Sequence, residues 1–118
     1  MAEENNVLGK IEISPHAVAT VAGNAVARSY GVVGMAAKNV VDGITNALTG
    51  DPRKGIDVRF EAGQVNIDLY VIVEYGTRVS VVAASVAKAV RFKIENELGV
   101  PVGEVNVHVQ GLRVSNPD

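Results

Sequence analysis

The sequence predicts an α+β fold: a small, mainly antiparallel four-stranded sheet with two long helices packed on one face, in the order β-α-(α)-β-β-α-β. Three observations carry this. The stretch VNIDLYVIVEYG alternates Val65, Ile67, Leu69, Val71, Val73 and Tyr75 with Asn66, Asp68, Tyr70, Ile72 and Glu74, the period of a half-buried strand. Two further segments, opening near Ser14 and Ser80, repeat apolar residues at helical spacing. Two amphipathic helices and one strongly apolar sheet face bury one another most economically as two layers.

Along the chain, residues 1–8 read as a flexible, acidic leader, 9–114 as one domain and 115–118 as a tail. Gly9–Ile13 alternates as a short strand. Ser14-Pro15 is a helix start, an N-cap followed by a ring that fits the first helical position. Val18, Val21, Ala22, Ala25 and Val26 then share a face, with an end expected near Ser29–Tyr30 and Gly31 as the residue that turns the chain. Gly31-Val32-Val33-Gly34 reads as a turn. A second helical pattern, with Ala37, Val40, Val41, Ile44 and Leu48 on one face, runs from about Met35 toward the loop at Gly50–Gly55.

Ile56, Val58 and Phe60 form a strand that Ala62-Gly63 joins to the long one as a hairpin. Ser80 is a candidate N-cap with Val79 as its hydrophobic staple. Val82, Ala83, Val86, Ala87, Val90, Ile94 and Leu98 line the next helix, which Gly99 and Pro101 terminate. Val105, Val107 and Val109 alternate in a last strand, with Gly111 as a bulge or its end.

Composition narrows the function. The 118 residues contain no Cys and two His, which removes thiol chemistry and disfavours a zinc cage. The formal net charge is −2, so no global field draws the chain to nucleic acid or anionic lipid. No signal-peptide pattern opens the sequence, and no apolar run reaches the roughly 18–20 residues of a membrane span. A cytoplasmic chain is the expectation, with no direct membrane insertion.

No catalytic residue, cofactor site or metal site emerges. His16 and His108 lie in no catalytic motif. The strand carboxylates Glu12, Asp57, Glu61, Asp68 and Glu74 share the outward register with Lys10 and Arg59, as a solvated sheet face does. The segment Gly31, Val32, Val33, Gly34 meets the bare GXXG pattern with which KH domains clamp single-stranded RNA. Its two variable positions are Val and the chain is acidic, which weighs against backbone clamping. The stronger candidates are contact surfaces. Val81 and Phe92 fall on the stripe opposite the core face of the last helix, and Tyr70, Ile72 and His108 on the open sheet face. Aromatic residues outside the core of an aromatic-poor protein point to self-association or a protein partner.

Several segments in order carry a resemblance: GKIEISPHAVATVAG, GVVGM at Gly31–Met35, Lys54–Val58, VNIDLYVIVEYG, and EVNVHVQGL at Glu104–Leu112. From about Gly9 to Val114 the chain resembles the alkaline shock protein family of envelope stress response proteins, found mainly in Gram-positive bacteria. The resemblance implies a non-enzymatic cytoplasmic protein of cell-envelope homeostasis. It implies a homo-oligomer, and recruitment to the inner membrane face by a small membrane-anchored protein. It supplies no catalytic residues. Arg91-Phe92-Lys93 makes the last helix less acidic than the family pattern.

Overall fold

The computed structural model describes residues 3–6, 9–36 and 55–114. Its centre is the long alternating stretch, strand β5 (Gln64–Glu74), preceded by β4 (Ile56–Glu61). Val65, Ile67, Leu69, Val71 and Val73 have no exposed surface. They face helices α1 (Pro15–Ala27) and α2 (Val79–Leu98), whose Val18, Ala22, Val26, Val82, Val86, Val90 and Ile94 complete one apolar cluster. Each buried aliphatic side chain contributes about 1.5–3 kcal/mol relative to exposure, so this row dominates the favourable terms.

Both edges of β5 are occupied. β6 (Val102–Arg113) runs parallel along one edge, from Val65↔Val102 to Glu74↔Arg113. Such parallel pairing needs a long crossover, which α2 provides. β3 (Val32–Met35) and β4 lie antiparallel and end to end along the other edge. Met35 faces Val71, the Ala36 amide donates to the Tyr70 carbonyl at 2.9 Å, and Ile56 faces Leu69. The chain therefore leaves this edge after Ala36 and rejoins it at the next register position. The expected helix beyond Met35 lies outside the described residues from residue 37 onward, as does the tail at 115–118. Met35 itself is strand.

The fold class is as expected, while two elements differ. The fourth strand of the main sheet is Val32–Met35, not Gly9–Ile13. β2 (Gly9–Glu12) instead pairs with β1 (Glu3–Asn6) in a separate two-stranded sheet. Both edges of β5 are taken by β3, β4 and β6, so β2 is not among its neighbours. The segment read as a leader thus contributes a strand.

Local signals explain most boundaries. The Ser14 hydroxyl accepts a hydrogen bond from the Ala17 amide at 3.1 Å, capping α1. α2 begins one residue before Ser80. Its N-cap is Arg78, which makes no side-chain cap, so the expected Ser80 cap and Val79 staple are not used. α2 ends at Gly99. At the joint with β6, the Arg91 guanidinium donates to the carbonyls of Val102 and Gly103 at 2.7 and 2.8 Å, closing an irregularity of the β5–β6 register.

Two positions make sharp demands on the backbone. Gly31 has φ +89°, and a Cβ there would sit 2.6 Å from Val82 Cγ2. Its role is close approach to α2. At the β4–β5 turn Ala62 and Gly63 have φ 52° and 79°, the mirror-image turn that suits Asn-Gly. Gly31→Ala should therefore destabilise the protein by about 1–3 kcal/mol. Ala62→Asn should stabilise it by about 0.5–1 kcal/mol. Urea unfolding of the two variants beside wild type measures both shifts.

Candidate functional site

On the sheet face away from the helices, three strands bring a polar network together. Asp68 on β5 is its hub. Arg59 Nη2 on β4 donates to Asp68 Oδ2 at 2.9 Å. Asn106 Nδ2 and His108 Nε2 on β6 approach Oδ1 at 3.2 and 3.0 Å. Burial pushes the Asp68 carboxyl up, but hydrogen bonds from His108, Arg59 and Asn106 outweigh this and hold it below the ordinary carboxylate range. An ionised Asp68 only accepts, so Nε2 of His108 carries the proton. The Tyr70 ring stacks on His108 with centroids 4.6 Å apart and planes inclined by 14°.

This network is internally satisfied. His108 spends Nε2 on Asp68 and its ring face on Tyr70, and the network brings no Ser, Thr or Lys that an imidazole could activate. Among the described residues no group of three His, Asp or Glu could hold a metal ion. No buried side-chain polar atom among them lacks a partner. His16 is exposed in the first turn of α1.

The expected contact residues divide. Tyr70 and His108 do meet, half-buried. Ile72 is wholly buried and is not an exposed contact residue. It lies outside the helix-side cluster, with Gly34 and Gly111 opposite it on the neighbouring strands. Val81 and Phe92 are exposed on α2, at 54% and 65%. Gly31-Val32-Val33-Gly34 is not a turn between helices. Val32 faces Val73 and Gly34 faces Ile72 in the sheet, and pairing of this kind removes the free loop that a KH clamp requires.

A larger apolar surface assembles where α1, β5 and β6 end and α2 begins. Of the six exposed large hydrophobic residues among those described, Tyr30, Tyr75, Val81, Leu112 and Val114 belong to these termini. Only Phe92 stands apart, about 16 Å further along α2. Tyr30, exposed by 83%, borders two open grooves. One is shared with Glu74, Thr77 and Arg113, the other with Arg78, Val81 and Ser85. The Tyr75 amide donates to the Arg113 carbonyl at 2.8 Å, joining the strand ends. Tyr75 itself lies in the turn after β5 and is exposed, so it does not extend the buried row. Sequence periodicity within single elements does not reveal this end, because four elements contribute to it.

The Asp68 network carries a pH dependence. With its folded pKa below the unfolded value, Asp68 adds stability that is fully present above the unfolded pKa, near 3.9, and lost as pH falls through the folded one. Asp68→Asn should cost roughly 1–3 kcal/mol at neutral pH. The difference from wild type should shrink as the medium is acidified below the ordinary carboxylate range. Unfolding curves across a pH series test this; a gap independent of pH would contradict it.

Comparison with known proteins agrees with the sequence resemblance. The uncharacterized protein YloU of Bacillus subtilis (strain 168) is 45% identical over 111 residues, 92% of each chain. The uncharacterized protein Spy1614 of Streptococcus pyogenes serotype M6 is 34% identical over 108 residues, covering 90% of this chain and 89% of its own. YqhY of Bacillus subtilis, also described as uncharacterized, is 32% identical over 116 residues, with 96% and 84% coverage. Among solved structures, the zinc form 2 of MamM CTD H264E aligns over 86% of both chains at a TM-score of 0.48 and 15% identity, a likeness too slight to carry any inference. Residues 3–114 match the alkaline shock protein family, described as having a cell envelope-related function, and the chain belongs to that family.

Proposed function

We propose that the chain is a non-enzymatic interaction module of the cell envelope. It works in the cytoplasm, self-associates, and is recruited to the inner membrane face by a membrane-anchored protein. The observation that carries this is the convergence of Tyr30, Tyr75, Val81, Leu112 and Val114 on one end of the domain. Exposed apolar residues gathered at one end of a domain favour an interaction site, whereas scattered single residues need no explanation. Exposed tyrosines beside Arg78 and Arg113 supply the residue types that dominate binding energy at protein interfaces.

No helix among the described residues is long and apolar enough to cross a membrane, and recruitment by a tether is compatible with this. Phe92 and the Tyr70–His108 pair offer secondary contacts on two other surfaces.

Inside-out membrane vesicles from Bacillus subtilis provide the test. The tagged chain should be retained by them, and treating the vesicles with protease should abolish retention. The double variant Tyr30→Asp, Val81→Asp should bind roughly thirtyfold more weakly or worse, the loss expected when one interface hot spot is removed. Equal retention of wild type and variant, or equal binding to protein-free lipid vesicles, would overturn the reading.

A further inference from the structure

The outer edge of β6 is a second surface, and its chemistry specifies its occupant. β6 spans 12 residues and pairs only with β5. Among the described residues no strand covers its other side. The backbone N–H and C=O groups on such an edge form a template that another extended strand completes. Proteins usually blunt exposed edges with charge, proline or brevity. β4, on the opposite side of the sheet, follows that practice, with Asp57, Arg59 and Glu61 among its six residues. β6 does not: from Val105 to Leu112 it carries no Asp, Glu, Lys, Arg or Pro.

Side chains along this edge are also unfinished. Val105, Val107 and Val109 pack against the core yet remain only partly buried. They form the sequence Val-Asn-Val-His-Val, nearly symmetric about Val107. Irregularities in the β5–β6 register fall on either side, around Gly103 and around Gln110. Residues 105–109 between them are regular.

We propose that the occupant is the β6 strand of a second copy of this chain, paired antiparallel about a two-fold axis at Val107. Identical strands related by a two-fold must run antiparallel. In this register Val105 of each copy meets Val109 of the other, Asn106 meets His108, and Val107 meets itself. The half-buried valine rows of the two copies become continuous, and both irregularities stay outside the paired segment. The sheets join into one, while both apolar ends stay free. The inference rests on the reading above that the chain acts by contact, and it names one of those contacts.

The absence of Cys makes the test simple. A Val107→Cys variant has a single thiol, which can form a disulfide only between copies. Residues facing each other across an antiparallel pair have Cα atoms about 4.5–5.5 Å apart, within disulfide reach. Mild oxidation should convert Val107→Cys to a covalent dimer far faster than Val58→Cys, which places the thiol on the β4 edge. By light scattering, wild type should show twice the monomer mass at high protein concentration. Val107→Lys should remain monomeric with an unchanged circular dichroism spectrum. A wild type that stays monomeric throughout, or equal cross-linking at positions 58 and 107, would overturn the proposal. If membrane retention instead fails while cross-linking at position 107 succeeds, the recruitment reading falls and this interface stands.

Discussion

Everything in this structure depends on the burial of one row of side chains. Val65, Ile67, Leu69, Val71 and Val73 alternate along β5 and lie fully covered by α1 and α2. Because strand side chains have period two, slipping β5 by one residue would turn this whole row to the opposite face. That penalty fixes the register, and the register fixes the neighbours. β6 must lie parallel because α2 carries the chain back across the sheet. The opposite edge is shared by β3 and β4, between which the chain departs and returns at adjacent positions.

The same constraint determines what is left for function. Among the described residues the core is made almost entirely of Val, Ile, Leu and Ala and buries no polar or charged residue. The cross-strand polar network around Asp68 is spent on itself: Asp68 satisfies Arg59, Asn106 and His108, and Tyr70 covers the imidazole. Unspent are the outer edge of β6 and the apolar end where four elements terminate. Membership in a family described by a cell envelope-related function fits a molecule whose remaining capacity lies in its surfaces.

The sequence reveals what is long and periodic. β5, α1 and α2 are legible because each repeats its pattern over several turns or pleats, and their ends carry Ser14, Ala62-Gly63 and Gly99. β3 is not legible. Four residues preceded by Gly31 and interrupted by Gly34 cannot show alternation, and Val32–Met35 becomes strand only because β5 offers it an edge. β1 is hidden for a similar reason: Glu-Glu-Asn-Asn has no strand propensity of its own. Val81 and Phe92 are legible as exposed, since the core stripe of α2 is unambiguous. Tyr75 and Ile72 mislead because alternation gives the face of a residue but neither where a strand stops nor how deeply its far face is buried. The apolar end is invisible in sequence, since Tyr30 and Val81 come to border one groove only in the fold.

The most direct measurement of this account is amide hydrogen exchange followed residue by residue. If the buried row of β5 is what the fold depends on, the amides from Ile67 to Val73, enclosed by strands on both sides, should exchange slowest and only through global unfolding. Should the amides of α1 or of the peripheral β4 outlast them, β5 would not be the element that holds this protein together, and the account would be wrong.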